Sequence, residues 1–159
     1  ARLRFAQKRD AEALEALERG LTAYRKSPWP YSHLMKGAVE LAHDLGVRTP
    51  GLATRALALL AEDYAMRMQS STRRLAHLDL SVRSGDASCL DSVRAYGKFF
   101  PWSGPELEQR VACLEFTRDP GLAKAKSELE AYLADAGADF SASLRPERPK
   151  ARIRFTSEP

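Results

Sequence analysis

Apolar residues recur along this chain at three- and four-residue steps, the spacing of one face of a helix. Leu14, Leu17, Leu21 and Tyr24 form the first such stripe, with Asp10 placed to cap it. "SPWPY", Ser27 to Tyr31, ends it, because two prolines within three residues cannot continue a helix. A second helix is predicted from about Ser32 to Leu45, carrying Met35, Ala38, Val39, Leu41 and Ala42, with Gly46 in the C-cap place. "RTPGLA" opens a third, since Thr49 is a good N-cap residue and Pro50 costs nothing at the first helical position. The series Leu57, Leu60, Tyr64, Met68, Ser71, Leu75, Leu78 and Val82 then predicts one long helix over 50–83, in preference to a break at Gln69–Thr72. Gly85 stops it and Asp86 caps a fourth helix with Leu90, Val93 and Tyr96. After "FFPW", Ser103 and Glu106 have capping-box spacing ahead of Leu107, Val111 and Leu114. "RDPGLA" opens a sixth helix with Leu122, Ala125, Leu129 and Leu133, ending before Gly137.

The expected fold is therefore all-α, a bundle or short solenoid of about six helices. Three sequence matches suggest that it is built twice. Ala23-Tyr24-x-Lys26 matches Ala95-Tyr96-x-Lys98, Pro28-Trp29 matches Pro101-Trp102, and Arg48-Thr49-Pro50-Gly51-Leu52-Ala53 matches Arg118-Asp119-Pro120-Gly121-Leu122-Ala123. The offsets are 72, 73 and 70 in preserved order, which reads as an internal duplication of a three-helix unit. One helical domain over 1–140 is expected, with repeats at about 10–85 and 86–137.

The two ends differ from the body. "ARLRF", Ala1 to Phe5, returns as "ARIRF", Ala151 to Phe155. Alternating arginine and apolar residues is a strand pattern, and also that of a short basic arm. Residues 141–159 contain prolines that forbid helix and are expected to form an extended basic C-terminal arm. Arg2, Arg4, Arg152 and Arg154 on these arms, with Trp29 and Trp102 in the two Pro-Trp loops, are the candidate partner-binding residues. Each tryptophan also suits burial between the helices its loop joins.

Charge is mild, +4 overall, but uneven: residues 1–26 carry seven Lys/Arg against four acids, and 86–136 carry six against nine. Arg25, Lys26 and Lys98 beside aromatic residues would suit nucleic-acid bases. One contiguous arginine patch would favour nucleic acid as partner, and arginines dispersed in pairs with acids would favour protein scaffolding. Cys89 and Cys113 lack Cys-x-x-Cys spacing and suggest no disulfide framework, so a reducing intracellular compartment is expected, or an organelle interior if Ala1 follows a removed targeting segment. The longest apolar run, Ala56 to Ala61, is far too short to cross a bilayer, and no signal-peptide pattern opens the chain.

Chemistry is sparse. The histidines His33, His43 and His77 share no local ligand spacing, and phosphate-loop, nucleophile-elbow and zinc-protease motifs are missing. No metal, cofactor or catalytic residue is expected. "LAHDLGVRTPGLATRAL" echoes a helix-turn-helix through Ala42, Gly46 and Val47, but places Arg55 where that motif wants an apolar side chain. The expectation is a non-catalytic structural or adaptor subunit contacting other protein subunits of a larger assembly. The alternative is an RNA- or DNA-binding helical protein, such as a ribonucleoprotein component.

Overall fold

The stripes read from the sequence become helices wherever proline and glycine permit. A computed structural model describes residues 1–24, 32–61 and 70–137, and these are all-α, with eight α-helices and no strand among the described residues. They are α1 (Arg2–Ala6), α2 (Asp10–Tyr24), α3 (Ser32–Arg48), α4 (Ala53–Ala61), α5 (Ser70–Ser84), α6 (Cys89–Tyr96), α7 (Gly104–Phe116) and α8 (Leu122–Gly137). Short 3₁₀ turns at Pro50–Leu52 and Gly97–Phe99 precede α4 and follow α6. Among the described residues, no helix is long and apolar enough to cross a membrane.

Two helices exceed the expected six. The first is α1, because "ARLRF" is helical and not an extended arm. Its side chains are engaged with the body: Phe5 lies under the Arg48 guanidinium, 3.5 Å from ring centroid to Cζ, and Arg4 reaches Glu12 at 3.7 Å. Those contacts reward a compact turn over a strand that would have no neighbour to pair with. Lys8, at φ 59°, ends the turn.

The second follows from the split of the long helix. Arg73 Nη1 donates to the Leu60 carbonyl at 2.8 Å. Thirteen residues of straight helix would separate those positions by about 20 Å, so α4 and α5 fold back side by side. The expected continuity across Gln69 falls on residues 62–69, which lie outside the described residues. α5 is described from Ser70 to Ser84.

α5 is the shared element. Its Leu80 joins a large core formed by Ala13, Leu14, Leu17 and Leu21 of α2, Met35, Val39, Leu41, Ala42 and Leu45 of α3, and Ala53, Ala56, Leu57, Leu59 and Leu60 of α4. Two residues earlier, Leu78 points into a second cluster with Cys89 and Cys113, flanked by Val82, Leu90, Val93 and Phe100. α3 packs chiefly on α4 and α5, and α7 chiefly on α8, while α6 leans on α5 and only lightly on α7.

Gly46 does not stop a helix. It sits inside α3, and a Cβ there would lie 2.6 Å from Leu80 Cδ2 and 3.1 Å from the Ala56 methyl. The glycine lets α4 and α5 approach α3. With Gly46 and Val47 helical, the turn of a helix-turn-helix is missing too. Thr49 is not a side-chain cap either; its hydroxyl donates to Asp10 at 2.6 Å. The Ser103–Glu106 capping box likewise fails, for Ser103 makes no side-chain cap bond although its extended backbone starts α7. At Asp119 the capping chemistry is realised, its carboxylate accepting from the Gly121 N–H at 2.8 Å.

Candidate interaction surface

The arginine-rich surface is tied up in local pairs. Arg48 binds Asp10 with two nitrogens and also donates to the Phe5 carbonyl at 2.9 Å. These bonds, with that from Thr49, hold the Asp10 carboxyl below its ordinary pKa. Arg55 forms a fork with Glu18 at 3.0 and 2.6 Å. Arg9 does the same with Glu12, Arg19 pairs with Glu15, Arg94 with Asp119, and Arg110 with Glu128. Most of the described arginines thus fall as dispersed pairs with acids.

Of the candidate binding residues, Arg4 is committed to Glu12, and the Arg2 guanidinium lies over Gly37 of α3. These two brace α1 rather than project as a free arm. Trp29, Arg152 and Arg154 lie outside the described residues. Trp102 is on the surface, 55 % exposed, and not buried between α6 and α7. Its ring meets Tyr132 of α8 edge-on, with centroids 6.2 Å apart.

Trp102 has company that the sequence reading missed. Phe99, on the same loop, is 77 % exposed, and Leu133, next to Tyr132, is 54 % exposed. Between them in the chain, Phe100 turns inward onto the cysteine cluster. Tyr96 approaches Phe100 edge-on at 5.5 Å, and Arg110 stacks over it at 5.1 Å while also holding Glu128. Within "KFFPW", Phe100 anchors, and Phe99 and Trp102 are exposed. The Lys98 ammonium sits 5.1 Å from the Phe99 ring. The signal was in the sequence, since two adjacent phenylalanines in a proline-bounded loop cannot both face the interior. Phe99 and Trp102, three residues apart on one loop, are exposed aromatic side chains of the kind that partners cover.

Two polar clusters lie elsewhere. In a cleft of about 430 Å³ among α3, α5 and α7, Asp79 accepts bonds from His43 Nε2 at 2.6 Å, Arg83 at 2.7 Å and Gln109 at 2.5 Å. Burial pushes the Asp79 carboxyl up, but the Arg83 and His43 bonds outweigh it and hold it below the usual range. The three partners come from three helices, so the cluster works as a tie. Buried His77 faces Ser92 with Nδ1 3.0 Å from Oγ. Burial lowers its pKa, partly offset by Asp86 and Asp91. Among the described residues no group of histidine, cysteine and acidic side chains has the makings of a metal site.

The cysteines correct the sequence reading. Cys89 and Cys113 form a disulfide joining α6 to α7, both fully buried. Twenty-four residues separate them, so no spacing motif announced the bond. Such a bond does not favour the reducing compartment expected from two isolated thiols. Comparisons with family models, with curated proteins and with solved structures give no match at the level of significance applied.

Proposed function

We propose that this chain is a non-catalytic helical adaptor that contacts other protein subunits through the loop that exposes Phe99 and Trp102. The observation that carries the reading is the exposure of these two large aromatic side chains three residues apart on one loop, while most of the described arginines are paired with acids. Aromatic residues are enriched in the core of an interface. Trp29 and the C-terminal arginines Arg152 and Arg154 belong to the same proposal as further contacts.

The duplicated architecture is part of it. The order helix, connection, helix, Pro-Gly turn, helix fits α2–α4 and again α6–α8, although the expected first repeat, about 10–85, also takes in α5, which has no counterpart in 86–137. The third helix of each set packs closely on the second. Both turns close with an i→i+3 bond, Leu52 N–H to Thr49 at 2.8 Å and Leu122 N–H to Asp119 at 3.1 Å. These parallels support two copies of one unit, a layout suited to stacking against neighbours.

RNA binding is the second reading, favoured by Lys98 beside Phe99 and by the basic ends. The mass of the native particle, taken from the protein's source before and after nuclease, separates the two. An adaptor gives a large particle that resists nuclease. A particle that collapses with nuclease overturns the adaptor reading in favour of RNA.

A further inference from the structure

The segment that exposes Phe99 and Trp102 is closed by one covalent bond. The Cys89–Cys113 disulfide encloses Lys98, Phe99, Phe100 and Trp102, and Phe100 packs against the sulfur cluster from within that loop. The eight-residue α6 is too short to persist without packing, and its contact with α7 is slight. The core formed by α2–α4 with Leu80 shares no residue with the disulfide cluster. Loss of the bond should therefore loosen one part of the molecule and spare the other.

Resting on the adaptor reading, we propose that the Cys89–Cys113 disulfide is a redox clamp on the loop that carries Phe99 and Trp102. The oxidised chain presents Phe99 and Trp102 in binding shape, and the reduced chain does not. Reduction proceeds by thiol–disulfide exchange with a dithiol. One of its thiolates attacks a cysteine sulfur and expels the other cysteine as thiolate. The second thiol of the reagent then closes onto the mixed disulfide and releases the first cysteine. The protein gains two electrons and two protons, and the dithiol leaves as its cyclic disulfide. Because both sulfurs are fully buried, attack requires a local opening of α6 and its loop.

The test compares the oxidised chain, the same chain after dithiothreitol, and Cys89→Ala/Cys113→Ala, with Phe100→Ala as a variant that keeps the bond and removes the anchor. The primary readout is amide hydrogen exchange. Residues 97–103 should exchange at least about tenfold faster in all three altered forms, with residues 13–21 and 39–60 unchanged. Unchanged exchange at 97–103, or an equal rise throughout the chain, overturns the clamp. The native particle supplies the second readout, with Phe99→Ala/Trp102→Ala as control. If that control still assembles, the adaptor reading fails. If the control is lost while the dithiothreitol-treated chain assembles as the oxidised one does, the clamp alone fails.

Discussion

Helices α2–α4 bury leucines and alanines in one continuous apolar core, with Ala13, Leu14, Leu45 and Ala56 all fully enclosed. Where α5, α6 and α7 meet, a much smaller cluster gathers Leu78 and two sulfurs, while Leu107, Leu114 and Ala125 of α7 and α8 are buried outside it. The first core is held by burial, at about 25 cal/mol for each Å² of apolar surface removed from water. The second cluster is smaller and adds a covalent bond that limits the freedom of its unfolded chain. Ion pairs join helices on both sides: Arg48 and Arg55 tie α3 and α4 to α2 through Asp10 and Glu18, and Arg110 ties α7 to α8 through Glu128 while lying over the Phe100 ring. The two clusters are thus stabilised in different ways, and the smaller one anchors, through Phe100, the loop that exposes Phe99 and Trp102.

The largest effect should come from the apolar half. Leu45→Ala removes a fully buried side chain and should cost about 4 kcal/mol in urea unfolding, the range for leucine truncation in a dense core. A cost below about 1 kcal/mol would mean that the first core collapses around the gap. Next comes the covalent half. Cys89→Ala/Cys113→Ala should cost about 3 kcal/mol for a loop of this length and lower the melting temperature by about 10 °C. If calorimetry shows no shift, the second half does not depend on its bond and the contrast is lost.

Gly46→Ala sharpens the comparison through its sign. On an exposed helix the change would stabilise by up to about 1 kcal/mol. Here the new methyl meets Leu80 and Ala56, so a loss of about 2 kcal/mol is expected from overpacking. The smallest effect is one of pH. Burial holds His77 neutral below its ordinary pKa. Below about pH 6.5 the unfolded chain takes up a proton that the folded chain refuses, so stability falls as pH drops through that window. His77→Gln should flatten that slope between pH 7.5 and 5, and an unchanged slope would assign it to other groups.

Much of this fold was legible because helix ends are written locally. Gly85, the "FFPW" break and the Asp119-Pro120-Gly121 turn each stop or start a helix by their own backbone preferences. What was not legible depends on distant neighbours. A glycine following a helical stripe reads as a C-cap, and only Leu80 and Ala56 show why Gly46 lies inside α3. Two cysteines 24 residues apart carry no spacing signal, and their pairing depends on how α6 meets α7. Serine and threonine at 70–72 tolerate a helix as well as its start, so the fold-back of α5 onto α4 had to come from packing. At the candidate surface, Trp102 was legible as a large residue in a proline loop. Its partners were not, because which of two adjacent phenylalanines faces outward is decided by the sulfur cluster beneath them.

The central claim is that Phe99 and Trp102 carry the chain into a larger assembly. The most direct test is the native mass of the particle formed in the source organism by wild-type chain and by Phe99→Ala/Trp102→Ala chain, each checked for unaltered helix content. The account predicts a large particle for the wild type and a species of single-chain mass for the variant. Equal masses for the two chains would contradict it.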